Sequence, residues 1–414
     1  MAANQLYYPR ALAPVIHQAL ADTPVVCLVG PRQSGKTTLV QRIAPERAYL
    51  SLDEYNLHQA ASLDPTGFVD SLPAAVAIDE VQRAPALLST IKVAVDGNRR
   101  PGRFLLTGSA NLLCLPTVSE SLAGRMETVQ LYPLTEAEKE RRPGGFLGAL
   151  TDGDLKPHIS GASGAEGPAL AERLVAGGYP EPVARAPRRA RQWHRQYLRS
   201  IIDRDVRDVA RVRDASELAR LLELLALRSA ELLNVSSLGD ALGLRRETVD
   251  RYVTVLERLF LVRRLRAWHR NPSRRLVRSP KVHLVDSGLA ATLASLTAED
   301  WLAQRDRMGH LLESFVVQQL IAQAEYTDPD LRFWHYRDKD QVEVDLVITR
   351  GARTWGVEVK ASATVTARDA RGLVRLADRC GDDFQRGIVL YDGRDLLPLR
   401  GERILAVPIS RLWM

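Results

Sequence analysis

Apolar positions along this chain follow two different periods, and the switches between them mark its elements. Continuous apolar runs at Pro24–Val29, Ala74–Asp79 and Arg103–Ser109 have the length and composition of buried strands. Thr38–Ile43 and Ala86–Val95, lying between them, read as helices, so the first third of the chain alternates strand and helix. Further on, Glu217–Leu233 carries leucines at helical spacing. Val235–Leu244 reads as a short helix that Ser236 or Ser237 caps and Gly243 ends. Arg246–Leu259 is a further helix, with Val249, Tyr252, Val253 and Leu256 on one face. This is a helix-turn-helix pattern, and two strand-like runs follow it, Leu261–Leu265 and Lys281–Val285. The last third opens with a helix at Gly309–Leu320, then strands at Phe333–Tyr336, Val342–Ile348 and Thr354–Lys360. Alternation in the second of these strands separates Val342, Val344 and Leu346 from Glu343, Asp345 and Val347.

Totals add limits. At 414 residues the chain is too long for one ordinary domain. Apolar content of 45% with 26% charged residues describes folded material rather than disorder. No run approaches the length of a membrane span, and no signal sequence opens the chain, so a cytoplasmic protein is expected. Three cysteines, Cys27, Cys114 and Cys380, lie far apart, which suggests neither a disulfide framework nor a zinc site.

Gly30-Pro31-Arg32-Gln33-Ser34-Gly35-Lys36-Thr37, followed by Thr38, is a complete phosphate-binding loop in its strand-loop-helix context. Its backbone N–H groups would curl around a β-phosphate at the positive end of a helix dipole. Lys36 would reach the β- and γ-oxygens of ATP, and Thr37 would ligate Mg²⁺. Lysine is scarce, 7 residues against 50 arginines, so a lysine marks a place where a compact ammonium is needed. Lys36 and Lys360 are two of the seven.

The strand ending in Asp79-Glu80 has the Walker B arrangement: Asp79 would hold Mg²⁺ through water, and Glu80 would orient or deprotonate the attacking water. Ser109 or Asn111, at the polar end of the next strand, falls where AAA+ ATPases sense the γ-phosphate. Arg99, Arg100, Arg103 and Arg125 are candidates for an arginine that stabilises transition-state charge. Arg125 is favoured, on its own site or on a neighbour's. Action across subunits would imply a ring or filament.

Gly30–Thr38, Ile78–Arg83, Leu106–Ser109, Leu122–Arg125 and Gly177–Glu181 occur in that order. Together they resemble the prokaryotic AAA-like ATPases that carry a conserved C-terminal domain of unknown function. The resemblance spans about residues 20 to 360. It implies an AAA+-like core, then a winged helix, then a restriction-endonuclease-like fold. The expected α/β organisation is therefore an ATPase domain at 1–200 (with 142–168 a flexible connector or inserted loop), a winged helix at 201–290 and a nuclease-like domain at 291–414.

Charge is uneven. Residues 188–285 hold 23 basic and 11 acidic residues, a net of +12, which leaves −5 for the rest of a chain whose total is +7. A concentrated basic region suggests a polyanion, with DNA favoured over RNA. Arg245 and Arg246 would start a recognition helix, and Arg270, Arg274, Arg275 and Arg278 would form a basic wing on phosphates. A winged helix used only for packing is the competing reading.

Glu313 on a helix, Asp345 on a strand and Glu358-x-Lys360 on the next strand resemble the restriction-endonuclease-like superfamily. That likeness implies Glu313, Asp345 and Glu358 as Mg²⁺ ligands and Lys360 as the catalytic cation. The sequence thus points to an ATP-driven, DNA-binding protein, the alternative being a nucleotide-dependent switch or scaffold with a non-cleaving nuclease-like binding domain. Whether its C-terminal site cuts or only grips is left open, as is oligomeric state.

Overall fold

The computed structural model describes residues 7–109, 122, 124–159, 167–205, 214–271 and 279–414; of Arg204 and Asp205 only the backbone is described. The described residues divide into two compact units, one within 7–134 with 258–260, the other within 135–257 and 261–414. No helix among the described residues is long and apolar enough to cross a membrane.

The first unit is built on strands β1 (Val25–Val29), β2 (Ala48–Ser51), β3 (Val76–Asp79), β4 (Phe104–Gly108) and β5 (Met126–Gln130), in the order β2-β3-β4-β1-β5. All pairings are parallel. Strands β1, β3 and β4 are buried throughout, as continuous apolar runs require when helices cover both faces of a parallel sheet. The core joins Val25, Cys27 and Val29 to Ile78, Leu87, Ile91, Phe104 and Leu106. The predicted helix after the glycine loop is helix α1 (Lys36–Ile43).

The second unit has α2 (Pro187–Ser200), α3 (Ala215–Leu227), α4 (Val235–Leu242) and α5 (Arg246–Arg258), then an antiparallel pair, β6 (Val262–Leu265) and β7 (Lys281–Leu284), and α6 (Ser287–Leu293). Val249, Tyr252, Val253 and Leu256 of α5 are buried, as the spacing predicts. Gly243 ends α4 in the left-handed conformation, at φ 68°. The cap of α4 differs from expectation. Asn234, not Ser236 or Ser237, accepts a hydrogen bond from the Ser237 N–H at 3.0 Å, because an amide oxygen one residue before the first turn reaches that donor better.

A mixed six-stranded sheet completes this unit: β8 (Arg332–Arg337), β9 (Glu343–Arg350), β10 (Arg353–Lys360), β11 (Phe384–Tyr391), β12 (Leu397–Arg400) and β13 (Ile404–Pro408), in the order β12-β13-β11-β10-β9-β8. The long helix α7 (Arg305–Thr327) and the shorter α8 (Arg371–Cys380) pack against it. The β6–β7 pair is tied to the edge strand β8 through Trp268 N–H donating to His335 O at 2.6 Å and His335 N–H donating to Arg266 O at 2.9 Å. That junction carries β7 to the sheet.

Two boundaries move. Residues 135–200, assigned from sequence to the ATPase domain, belong to the second unit. There the Glu136 N–H donates to Gln319 on α7 at 2.8 Å. The stretch 142–168, expected as a flexible connector or inserted loop, contains a helix at Phe146–Asp152 whose Phe146, Leu147 and Leu150 are buried. Its glycines and prolines hide a short apolar face that α7 covers, with Leu147 N–H donating to Gln323 at 3.1 Å. The Gly177-Gly178 pair also gains a reason. Gly177 sits at φ 69° against the carboxylate of Asp286, where a Cβ would lie 2.5 Å from Oδ1. Gly178 N–H donates to that carboxylate at 2.6 Å.

Candidate functional site

The glycine loop leaves the C-terminal end of β1 and enters α1, so its backbone donors face the end of the sheet where β3 and β4 also finish. Gly30 is required by close approach: a Cβ there would stand 2.2 Å from the Leu131 carbonyl oxygen. Gly35 has φ 97°, open to glycine and strained for other residues. Ser34 and Lys36 are buried, Arg32 is half-buried, and Gln33, Thr37 and Thr38 are exposed. The Lys36 ammonium donates to the carbonyls of Gly30 at 3.0 Å and Pro31 at 2.9 Å, folded back over its own loop. Burial pulls its pKa down to about 8, against the opposing charges of Glu80 and Asp79.

Thr37 Oγ1 donates to Asp79 Oδ2 at 2.9 Å. Tyr49 and Thr107 also donate to the Asp79 carboxylate. Glu80 has left-handed backbone angles, φ 57° and ψ 42°, which turn its side chain out of the line of β3. Ser109 Oγ donates to Glu80 Oε2 at 2.9 Å, and Gln82 Nε2 donates to the same oxygen and to Ser109 Oγ. The residues predicted for nucleotide chemistry thus converge from three strand ends. Asn111 lies outside the described residues.

These groups fit a Mg²⁺ nucleotide. The loop presents its donors beside a buried ammonium, a hydroxyl and a carboxylate meet at a common point, and the buried Ser34 Oγ has no hydrogen-bond partner. Sequence reasoning missed Arg10, a buried guanidinium that donates to Ser34 O at 2.8 Å and Tyr132 O at 2.6 Å and so braces the loop from behind. It also missed Tyr49. Neither has a local motif.

Arg125 is not brought to this site. It immediately precedes β5, whose register pairs Met126 with Val25 at the start of β1, so it stands at the opposite end of the sheet. Five strand residues separate those ends, about 16 Å. There it forms an exposed ion pair with Asp96, Nε to Oδ1 at 2.5 Å. Of the two alternatives left open for Arg125, its own ATP site or a neighbour's, this placement removes the first.

In the second unit, Glu313 of α7, Asp345 of β9 and Glu358 and Lys360 of β10 do come together. Val359 N–H donates to Asp345 Oδ2 at 2.9 Å, and Lys360 Nζ donates to Glu358 Oε1 at 2.9 Å. A residue not predicted for the site lies among them. Lys281, the first residue of β7, places Nζ 2.8 Å from Glu313 Oε1, 3.5 Å from Asp345 Oδ1 and 3.9 Å from Glu343 Oε2. Burial opposes its charge, but Glu313 and Asp345 outweigh that and hold the ammonium above its usual range. Burial, reinforced by Asp345, raises Glu313 and Glu358 above the usual carboxylate range.

Among the described residues no group of three or more His, Cys, Asp or Glu side chains has the geometry to hold a metal ion. The expected Mg²⁺ set of Glu313, Asp345 and Glu358 is thus assembled, yet in this arrangement it does not fit a divalent ion. An ammonium holds the point where Glu313 and Asp345 converge.

Of the DNA-binding candidates, Arg245, Arg246 and Arg270 are exposed, the first two at the start of α5. Arg274, Arg275 and Arg278 lie outside the described residues.

The parallel sheet, glycine loop and Asp79-Glu80 strand end define an AAA-like P-loop ATPase domain. Comparisons with known proteins agree: the AAA domain family matches residues 22–139, and two domains of unknown function, DUF8612 and DUF4143, match 167–300 and 308–412. An uncharacterized protein of Mycobacterium tuberculosis is 30% identical over 408 residues, covering 97% of this chain and 84% of its own length. A Mycobacterium bovis protein matches to the same extent. The chain belongs to the family of these mycobacterial proteins. Among solved structures, a Walker-type ATPase of Pyrococcus abyssi is similar at TM-score 0.41 and 14% identity, covering 70% of this chain and 96% of that one. The RuvB Holliday junction branch migration motor of Thermotoga maritima reaches TM-score 0.31 and 19% identity, over 62% and 90%.

Proposed function

We propose that this chain is a Mg²⁺-dependent ATPase whose second unit combines a DNA-binding winged helix with a nuclease-like fold that does not cut in the arrangement described. The observation that carries the ATPase reading is the convergence of Lys36, Thr37, Asp79, Glu80 and Ser109 at the ends of three adjacent strands.

In this reading the loop from Gly30 to Thr38 wraps the phosphates with backbone N–H groups. Lys36 leaves the Gly30 and Pro31 carbonyls for the β- and γ-oxygens, exchanging neutral acceptors for charged ones. Thr37 and Asp79 would hold Mg²⁺, which when bound neutralises charge on the phosphates. Glu80 orients the attacking water and takes its proton, with Ser109 and Gln82 setting the carboxylate's position.

Support for DNA comes from the net +12 of residues 188–285 and from the exposed Arg245 and Arg246 at the start of a helix that follows a glycine turn. The test is ATP turnover by wild type, Lys36→Ala and Glu80→Gln, with and without duplex DNA, alongside fluorescence anisotropy of labelled duplex. Turnover that Lys36→Ala abolishes, and duplex binding that weakens in Arg245→Ala/Arg246→Ala, are expected. Absence of any Lys36-dependent turnover would sink the enzyme reading. Equal duplex binding by wild type and the double arginine variant would sink the DNA assignment.

A further inference from the structure

A divalent-metal nuclease centre needs carboxylate oxygens free to face one ion. Mg²⁺ takes oxygen ligands at about 2.0–2.1 Å in near-octahedral geometry. Here four of the six carboxylate oxygens of Glu313, Asp345 and Glu358 are engaged. Glu313 Oε1 and Asp345 Oδ1 both point at Lys281 Nζ, at 2.8 and 3.5 Å. The second oxygen of Asp345 accepts the Val359 N–H, and Glu358 Oε1 accepts from Lys360. Within this acid set, Glu358 Oε2 is buried without a partner.

Lys281 is not a surface side chain that strayed inward. It is 3% exposed, its strand is buried at all four positions, and its backbone is paired with Leu265 on one side and bridged to Leu232 on the other. Its stem therefore has no open route to solvent without movement of β7. A second cation at bonding distance from Glu313 and Asp345 would stand nearly in contact with the ammonium, in a site where charge repulsion is poorly screened.

We propose that Lys281 takes the place of a divalent cation, as an intramolecular counter-ion that keeps the carboxylate set of the second unit metal-free. This rests on reading that unit as nuclease-like. The fold then retains the acid-and-lysine framework of a cleaving domain while a residue of its own β7 excludes the metal. The consequence is specific. Removal of the Lys281 ammonium leaves Glu313 Oε1, Asp345 Oδ1 and Glu358 Oε2 as three uncompensated oxygens, and a buried acid cluster stripped of its cation should recruit one.

The experiment is Mn²⁺ binding to the full-length, nucleotide-free protein, read by isothermal titration and by the electron paramagnetic resonance of free Mn²⁺. The variants are Lys281→Met, which keeps the apolar stem, Glu358→Gln, and the two combined. Wild type should show no site that Glu358→Gln removes. Lys281→Met should gain one Mn²⁺ site per chain, tighter than any in wild type by about tenfold or more, and the combined variant should lose it. A wild-type Mn²⁺ site abolished by Glu358→Gln would overturn the proposal, as would a folded Lys281→Met protein that binds no Mn²⁺. If Lys281→Met does not fold, wild type against Glu358→Gln decides alone. These outcomes are separate from the ATPase and duplex-binding tests, so either reading can fail without the other.

Discussion

Ser109 Oγ donates to Glu80 Oε2 at 2.9 Å, so the residue at the end of β4 holds the candidate base at the end of β3. Glu80→Gln should retain ATP binding and lose turnover by about 10²–10⁴-fold, the range for loss of a general base. Ser109→Ala removes one of two donors and leaves Gln82. Its kcat should fall by about tenfold, equivalent to ~1.4 kcal/mol of transition-state stabilisation, with nucleotide affinity unchanged. Steady-state turnover together with binding of a fluorescent ATP analogue separates the two effects. Loss of affinity in Ser109→Ala would contradict a role confined to Glu80.

Among the described residues of the glycine loop and the strand ends beside it, Lys36 is the one ammonium. Lys36→Ala should weaken ATP binding by about 1.5–3 kcal/mol or more, the value of a hydrogen bond to a charged group, and abolish hydrolysis. Lys36→Arg should not rescue it, because a planar guanidinium cannot fit over the Gly30 and Pro31 carbonyls as the ammonium does. Titration calorimetry with ATP and Mg²⁺ checks both variants.

Arg125 stands at the far end of the sheet from the glycine loop. Arg125→Ala should leave kcat of the monomeric protein within about twofold, since an exposed ion pair contributes little. Turnover measured over a range of protein concentrations provides the check. A large loss confined to high concentration would move Arg125 to a neighbouring subunit's site.

Two buried histidines give the second unit a pH dependence. His194, on α2, is depressed below its ordinary pKa of 6.5 by burial and by Arg191, with Asp286 opposing. Its Nδ1 lies 3.1 Å from Thr292 Oγ1 on α6. His283, on β7, is depressed further by burial, Lys281, His335 and Arg263, and its Nδ1 lies 2.9 Å from Ser314 Oγ. Both are held neutral in the fold while the unfolded chain protonates them near pH 6.5. The unfolded state then binds more protons below that pH, so stability is present above about pH 6.5 and is lost as pH falls toward the depressed folded values. Denaturant midpoints at pH 5.5 and 7.5 should show it, with the difference reduced in His194→Gln.

The glycine loop, the strands around it and the Asp79-Glu80 strand end are legible from the chain alone. Each is a run of neighbouring residues whose apolar character, glycine freedom or charge acts over a few bonds. The same holds for α5, whose buried face follows from helical spacing. The acids Glu313, Asp345 and Glu358 and Lys360 are named through the family resemblance, because they lie on α7, β9 and β10 and meet only in the fold.

Other features were invisible because their partners are remote. Arg10 reaches the carbonyls of Ser34 and Tyr132, and the helix at Phe146–Asp152 is covered by α7 more than 150 residues later. Arg125 has a suggestive local motif, but the register of β5 against β1 decides which end of the sheet it occupies. Lys281 did leave a trace, as one of only seven lysines, yet it sat inside a basic stretch that reads as nucleic-acid binding.

Local sequence therefore determined which side chains are present and the backbone shapes that carry them. Tertiary packing decided which charges meet. The ammonium of Lys281 is fixed against acids 32 and 64 positions away because β7 is anchored at the edge of the sheet that carries Asp345. Charge pairing across such separations depends on through-space distance inside a poorly screening interior, which only the assembled fold defines.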